Sequence, residues 1–196
     1  RQRKGGVVHT EIMLPPHAPP SFSDRSTLWN SVELYEKAGN AQLAREIDAT
    51  LPIELSREEQ IRLVREYCSS QFVSKGMCVD FAIHDTDSGN PHCHIMLTMR
   101  PLDERGAWAA KSKKEYDLDE NGERIRLPNG RYKTHKVDLT GWNDKGNALL
   151  WRKAWADISN SYLERAGSTE RIDHRSNAER GIDEIPTVHM LSLIHI

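Results

Sequence analysis

Apolar and polar residues alternate over residues 7–14, which is the two-residue period of a half-buried strand. Four prolines between positions 15 and 20 must end this strand, because proline cannot donate a ladder hydrogen bond. Apolar residues then recur at helical spacing from Leu28 to Tyr35. We predict a helix here, with Asp24 or Ser26 as its N-cap.

Residues 45–51 fit two patterns. As a helix, they would continue from Ala41 through good helix formers such as alanine, glutamine, leucine and arginine. As a strand, which we favour for residues 46–51, they divide between the two faces of a sheet. The core face would then carry Ile47, Ala49 and Leu51, and the opposite face Glu46, Asp48 and Thr50.

Two longer helices have stronger signals. Ser56 and Glu59 have the spacing of a capping box, and the apolar stripe behind them closes near Gly76. A last helix is predicted to start near Gly141 and to end at Gly167. The stripe of the first helix is Ile61, Val64, Cys68 and Phe72, and that of the second is Trp151, Trp155, Ile158 and Tyr162.

Residues 77–84 and 92–99 are rich in Val, Ile, Phe, Leu and Met, and a polar turn with Gly-Asn-Pro separates them, so we predict a long hairpin. Residues 102–138 hold few large apolar side chains and two Asn-Gly turns, which indicates an exposed excursion or small hairpin. The order of these elements predicts an α+β fold with a central, largely antiparallel β-sheet covered by helices.

The composition fits one water-soluble domain. The chain has 196 residues, of which 37% are apolar and 29% charged, and a net charge of −2. No apolar run reaches the roughly 20 residues of a membrane span, so we expect no membrane partner. Three cysteines without a Cys-x-x-Cys pair argue against a disulfide scaffold or a cysteine-rich zinc site, and favour a reducing cytoplasm.

The local charge differs from the net value. Between residues 100 and 136, lysine and arginine number 10, against 7 aspartates and glutamates. Such a cluster is either a surface that faces phosphates or a set of solvated loops, and charge alone leaves both interpretations open.

Three histidines carry the most informative pattern. His92 and His94 are two residues apart on a predicted strand, so their rings share one face, about 7 Å apart along it. Closing the hairpin brings His84 beside them. Three imidazoles that leave coordination positions on a metal ion open to water or substrate are typical of a catalytic metal site. Histidines on paired strands that bind no metal would have the same spacing. The motifs of zinc deaminases, zincins, phosphate loops and nucleophile elbows are absent from the sequence.

Several stretches together resemble one family. The chain is similar to the MobA/MobL-type (MobQ-like) conjugative relaxases, which belong to the His-hydrophobic-His endonuclease superfamily. The resemblance runs over most of the chain, to about residue 190, and predicts one relaxase domain at residues 1–190. The matched stretches are residues 28–36, 45–55, 82–84 with 90–94, 154–157, and 172–175 with 181–182 and 185–186.

This resemblance implies a metal-dependent enzyme that nicks and rejoins one strand of a plasmid transfer origin. A tyrosine would attack the scissile phosphate and leave a 5′-phosphotyrosyl link and a free 3′-hydroxyl. The resemblance also implies one divalent ion of the Mn, Mg or Zn class on His84, His92 and His94, with Glu46 and Asp48 as supporting groups. The partners would be single-stranded DNA and relaxosome accessory proteins in a bacterial cytoplasm.

Further residues are candidates for DNA contacts. Trp108 lies in the polar excursion and is the preferred base-stacking candidate, whereas the tryptophans of the last helix are predicted to be core. We expect His9 and Glu11 to be structural, and His174 to have a structural or DNA-backbone role rather than to bind metal. The candidate DNA contacts are Arg100, Trp108, Lys111, Lys113 and Lys114.

The family's nucleophilic tyrosine precedes the first strand of this chain, and none of the five tyrosines here matches it. Tyr35 is expected on the buried side of its helix, and Tyr162 on the tryptophan stripe. We therefore expect a fragment that binds metal without nicking, followed by a non-native tail at residues 191–196. A phosphodiesterase that uses water, and a non-catalytic domain that binds single-stranded DNA, stay open as alternatives.

Overall fold

A four-stranded antiparallel sheet forms the centre of the fold. The structure, a computed structural model, describes residues 6–86 and 89–182. The strands are β1 (Val7–Met13), β2 (Ala44–Thr50), β3 (Val79–His84) and β4 (His92–Thr98), and their order across the sheet is β1-β3-β4-β2. The predicted antiparallel sheet is confirmed, and residues 44–50 form a strand rather than a helix.

Three helices flank this sheet: α1 (Arg25–Tyr35), α2 (Arg57–Gln71) and α3 (Asn147–Arg165). Asp24 is the N-cap of α1, because its carboxylate accepts a hydrogen bond from the Thr27 amide at 2.8 Å. The predicted capping box at the start of α2 is present in both directions between Ser56 and Glu59.

The start of α3 was predicted too early. The helix begins at Asn147, whereas Gly141 has a φ of +66°, which lies outside the helical region. The carboxylate of Asp138 accepts a hydrogen bond from the Thr140 amide at 2.8 Å, so the chain makes a turn here first. The predicted end is correct, because Gly167 has a φ of +74° directly after the helix.

The helices α2 and α3 pack on one face of the sheet and build the main core. On α2, Leu63 and Tyr67 are buried together with the predicted Val64 and Cys68, whereas Ile61 is only partly buried. The aromatic stripe of α3 is confirmed, with its four members buried or partly buried in this core. The sheet contributes Val79, Phe81, Ile83, Cys93, Ile95 and Leu97.

The helix α1 covers one end of the opposite face. Asp80 is only 5% exposed there, and its carboxylate accepts two hydrogen bonds of 2.7 Å from Arg25 and one of 2.8 Å from the Trp29 indole. These three bonds compensate the burial of a charge, and they hold α1 in place. At the other end of this face, about 13 Å along β3, lies His84.

An arm, residues 112–138, extends from the domain as a two-stranded sheet of β5 (Ser112–Tyr116) and β6 (Thr134–Asp138). Both Asn-Gly turns lie in this arm. Gly122 and Gly130 have φ values of +81° and +78°, which glycine adopts more easily than any other residue. The predicted excursion is thereby confirmed as a small hairpin.

Tyr35 is 46% exposed, so its predicted burial was wrong. Leu28 and Val32 provide the buried contacts of α1, and the Tyr35 ring lies 4.7 Å from the guanidinium carbon of Arg100 instead.

Within residues 6–86 and 89–182, no helix combines the length and apolar character needed to cross a membrane. The tail at residues 191–196 lies outside the described residues.

Candidate metal centre

Three histidines meet at the end of the sheet that α1 leaves uncovered. His84 ends β3 and lies directly opposite His92, the first residue of β4, and His94 is two residues further on the same face. The ring centroids of these histidines are 4.9–5.5 Å apart. One ring nitrogen of each lies within 4.8 Å of the others, which is close enough for the three to share a single ion.

Two of the rings are oriented by oxygen atoms behind them. His92 Nδ1 lies 2.9 Å from the backbone oxygen of Asn90, and His94 Nδ1 lies 3.1 Å from Glu46 Oε1. With the proton on Nδ1, each ring donates a hydrogen bond to that oxygen and presents the lone pair of Nε2. This is the arrangement that metal-binding histidines require.

The pairing of β2 with β4 explains why the acidic residues reach His94. Asp48 is directly opposite His94 in the register, and Glu46 is two residues away on the same face. Asp48 Oδ1 lies 2.6 Å from His94 Nδ1, while Glu46 has the geometry of a hydrogen bond to the same nitrogen. Both carboxylates therefore stand behind one imidazole.

The donor set fits a divalent ion. Three imidazole nitrogens suit Mn, Zn and similar ions, and they leave coordination positions for water or a phosphate oxygen. All three histidines are half-buried, so a ligand can approach from the open face. Cys93 lies between two of them but points into the core, and burial raises the pKa of its thiol to about 12, which keeps it from acting as a ligand.

Arg57 was missed by the sequence analysis. Its guanidinium pairs with Asp85, which directly follows His84, and so ties the start of the hairpin turn to the start of α2. The amide of Asp85 also donates a hydrogen bond of 2.7 Å to the backbone oxygen of Gly6. No sequence pattern predicts an ion pair between residues this far apart in the chain.

Three of the candidate DNA contacts are engaged by other side chains. Arg100 and Lys111 both bind the carboxylate of Glu36, at 2.9 and 3.0 Å, and Glu36 is only 7% exposed. Trp108 donates a hydrogen bond of 2.8 Å to Ser31 and stacks on Phe22. These three side chains therefore have structural contacts, and the DNA contacts stay a prediction. The exposed candidates are Lys113 and Lys114 on β5.

Two other histidines lie away from the centre. His9 lies on the face of the sheet on which α2 packs, opposite to the three histidines. Its Nε2 lies 3.0 Å from Glu11, and Glu11 in turn pairs with Arg65 of α2. This is the structural setting that we expected for His9. His174 lines a trough along the outer edge of β2, beside α3.

Comparisons with known proteins point to one family. The sequence profile described as the MobA/MobL family matches residues 2–192. Conjugal transfer protein TraA of Rhizobium radiobacter is 37% identical over 96% of this chain and 17% of its own length. The probable mobilization protein MobA of Bifidobacterium longum is 34% identical over 95% of the chain and 35% of its own length. This chain therefore spans only part of these relatives.

A solved structure described as "Molecular Basis of Vancomycin Resistance Transfer in Staphylococcus aureus" has the same fold. It is 33% identical and superposes with a TM-score of 0.71, over 87% of this chain and 76% of that chain. Mobilization protein MobL of Acidithiobacillus ferridurans is 32% identical over 96% of this chain and half (50%) of its own length.

Proposed function

Because the chain belongs to the MobA/MobL family, we propose that it is the metal-binding core of a relaxase that nicks and rejoins one DNA strand at a plasmid transfer origin. The observation that carries this proposal is the group of three imidazole nitrogens within 4.8 Å of one another, on a face of the sheet that is open to a strand of DNA.

His84, His92 and His94 would hold one divalent ion. Such an ion withdraws electron density from the non-bridging oxygens of a phosphate and stabilises the charge that develops during attack. The chain's own contribution is to orient the ligands. Glu46 accepts a hydrogen bond from the proton-bearing nitrogen of His94, and Asp48 lies beside the same nitrogen, so both favour the tautomer that leaves the other nitrogen free.

The nucleophile in this proposal is a tyrosine from sequence that precedes residue 1 in a longer protein. The five tyrosines of this chain have other surroundings. Tyr67 of α2 and Tyr162 of α3 are buried, Tyr116 and Tyr132 lie on the arm, and Tyr35 lies against Arg100. A covalent phosphotyrosyl link conserves the energy of the phosphodiester bond, so that rejoining needs no other energy source.

Metal binding gives the first test. Titration calorimetry with Mn²⁺ should detect binding to the wild-type chain and at least a hundredfold weaker binding to a His92→Ala, His94→Ala variant. His9→Ala is the matched control, because this histidine also touches a carboxylate but lies on the opposite face. If the two variants bind Mn²⁺ equally well, the proposed centre is wrong.

The products of DNA cleavage separate the proposal from its alternatives. The chain extended by its preceding sequence should form a covalent adduct with a single-stranded transfer-origin oligonucleotide, and only with a divalent ion present. A free 5′-phosphate without an adduct would favour hydrolysis by water. An intact oligonucleotide under these conditions would favour a non-catalytic DNA-binding domain.

A further inference from the structure

The first turn of α2 is attached to the hairpin that carries the three histidines. Arg57 is the first residue of this helix, and its guanidinium pairs with the carboxylate of Asp85, the residue after His84. The helix packs on the core face of the sheet, whereas His84 lies on the open face. The pair therefore holds the backbone next to a candidate metal ligand from the side opposite to the ion.

A second contact orients Arg57. Its Nη1 donates a hydrogen bond of 2.7 Å to Gln60 Oε1, and Gln60 Nε2 donates one of 2.9 Å to the backbone oxygen of Pro52. Gln60 is only 4% exposed, so water cannot readily replace either partner of its amide. The guanidinium is thereby held between a buried amide and the carboxylate of Asp85.

This network also reaches the other side of the hairpin turn. Pro52 directly follows Leu51, and the Leu51 amide donates a hydrogen bond of 2.8 Å to the backbone oxygen of Pro91. Pro91 in turn precedes His92, the first residue of β4. The first turn of α2 is thus connected to the end of β3 through Asp85, and to the start of β4 through the end of β2.

His84 lies where the sheet is irregular. It is the last residue of β3, and the register between β3 and β1 shifts between Val7 and His9, beside it. His94, by contrast, lies inside β4 and has a register partner on each side, Ala82 and Asp48. Metal ligands must be held to within about 0.5 Å of the productive geometry, so an anchor matters most at the end of a strand.

The start of α2 is a rigid support for such an anchor. The capping box between Ser56 and Glu59 fixes its first turn, and Leu63 and Val64 are fully buried one turn further on. The N-terminal end of a helix also favours a carboxylate beside it, which strengthens the contact with Asp85.

We propose that Arg57 is a positioning residue of the metal centre, which holds His84 in place through Asp85 and does not touch the ion. The proposal rests on the proposed function, because it requires His84 to be a metal ligand. Its role differs from that of Glu46 and Asp48, since these carboxylates orient the ring of a histidine and Arg57 fixes the backbone of another.

The test replaces Arg57 with methionine and measures Mn²⁺ affinity by calorimetry, with urea unfolding to show that the variant is folded. A direct partner of a metal ligand contributes about 10- to 100-fold in affinity, so we expect a loss of about fivefold for a partner one residue removed. Asp85 is only 16% exposed, so water compensates poorly for the missing guanidinium.

Arg65→Met is the matched control. Arg65 is also on α2 and pairs with a carboxylate of the sheet, that of Glu11, at 2.8 Å. Glu11 is opposite Phe81 in the register, three residues or about 10 Å along β3 from His84, and on the core face. The control should therefore keep the Mn²⁺ affinity of the wild type.

The sign of the effect separates positioning from charge. A guanidinium repels a divalent ion, so removing Arg57 would tighten Mn²⁺ binding if it acted through its charge alone. Positioning predicts the opposite order, with the tightest binding in the wild type, weaker binding in Arg57→Lys and the weakest in Arg57→Met. Arg57→Lys also keeps the test available if methionine unfolds the chain, since its affinity should still lie below that of the wild type.

A His84→Ala background locates the effect. Weak Mn²⁺ binding is followed there by the relaxation of water protons, and Arg57→Met should cause no further loss in a chain that already lacks this ligand. The absorption spectrum of bound Co²⁺ depends on its ligands. It should shift in Arg57→Met towards the spectrum of His84→Ala, and stay that of the wild type in Arg65→Met.

Several results would overturn this inference: unchanged or tighter Mn²⁺ binding by the Arg57 variants, an equal loss in Arg65→Met, or a loss that persists in the His84→Ala background. Each of these leaves the proposed metal centre intact, provided that His84→Ala alone weakens Mn²⁺ binding. Wild-type affinity in His84→Ala would instead remove His84 from the centre, and this inference with it.

Discussion

Glu46 and Asp48 offer the sharpest test of how this chain prepares a metal ligand. Both carboxylates contact His94 Nδ1, Glu46 at 3.1 Å with hydrogen-bond geometry and Asp48 at 2.6 Å. Replacing either with alanine removes one partner and leaves the other in place. The double variant leaves the ring without an acceptor from β2, so it can rotate and change tautomer.

The expected magnitude follows from the exposure of these side chains. Loss of a partner behind a metal-binding histidine weakens metal affinity by about 10- to 100-fold. Glu46 is 60% exposed and Asp48 66%, so water can replace either carboxylate in part. We therefore expect a roughly threefold loss for each single variant, and about 10- to 30-fold for the double variant, because the two share one nitrogen.

The assay is a Mn²⁺ titration by calorimetry, with unfolding curves to confirm that each variant is folded. Glu11→Ala is the matched control, since it removes a carboxylate from a histidine on the opposite face, and its affinity should equal that of the wild type. A double variant with wild-type affinity, or a Glu11 variant with the same loss as the double variant, would refute the positioning argument.

Two further predictions concern the rest of the domain. Burial opposes ionisation of Glu36, but hydrogen bonds from Arg100 and Lys111 outweigh the effect of burial and lower the pKa of its carboxyl group. The ionised carboxylate therefore stabilises the fold fully above about pH 4.3, the ordinary pKa of glutamate. This contribution is lost as the pH falls through the lowered pKa. Glu36→Gln should cost about 2 kcal/mol in urea unfolding at pH 7 and flatten this acid dependence, unlike Glu33→Gln on the exposed side of α1. Cys93 should react with a thiol reagent at pH 8 only after unfolding, because its pKa is raised to about 12; rapid reaction in the native state would contradict its burial.

Local sequence patterns are enough to predict most of the elements and the face that each of their residues lies on. The period of two places Glu46 and Asp48 on one face of β2, and His92 and His94 on one face of β4. The pairing of these strands then puts both faces on the same side of the sheet. The capping box of α2 and the aromatic stripe of α3 were predictable for the same reason, since each depends on residues within a few positions of one another.

What covers each face of the sheet depends on how the elements pack together. The period of a strand does not say that α1 covers the end of the sheet with Asp80 and leaves the end with His84 open. Arg100 and Lys111 belong to a positive stretch in the sequence, but both pair with the carboxylate of Glu36, which is distant in the chain. Long-range pairing and the packing of helices on the sheet depend on the whole chain at once, and local patterns carry no information about them.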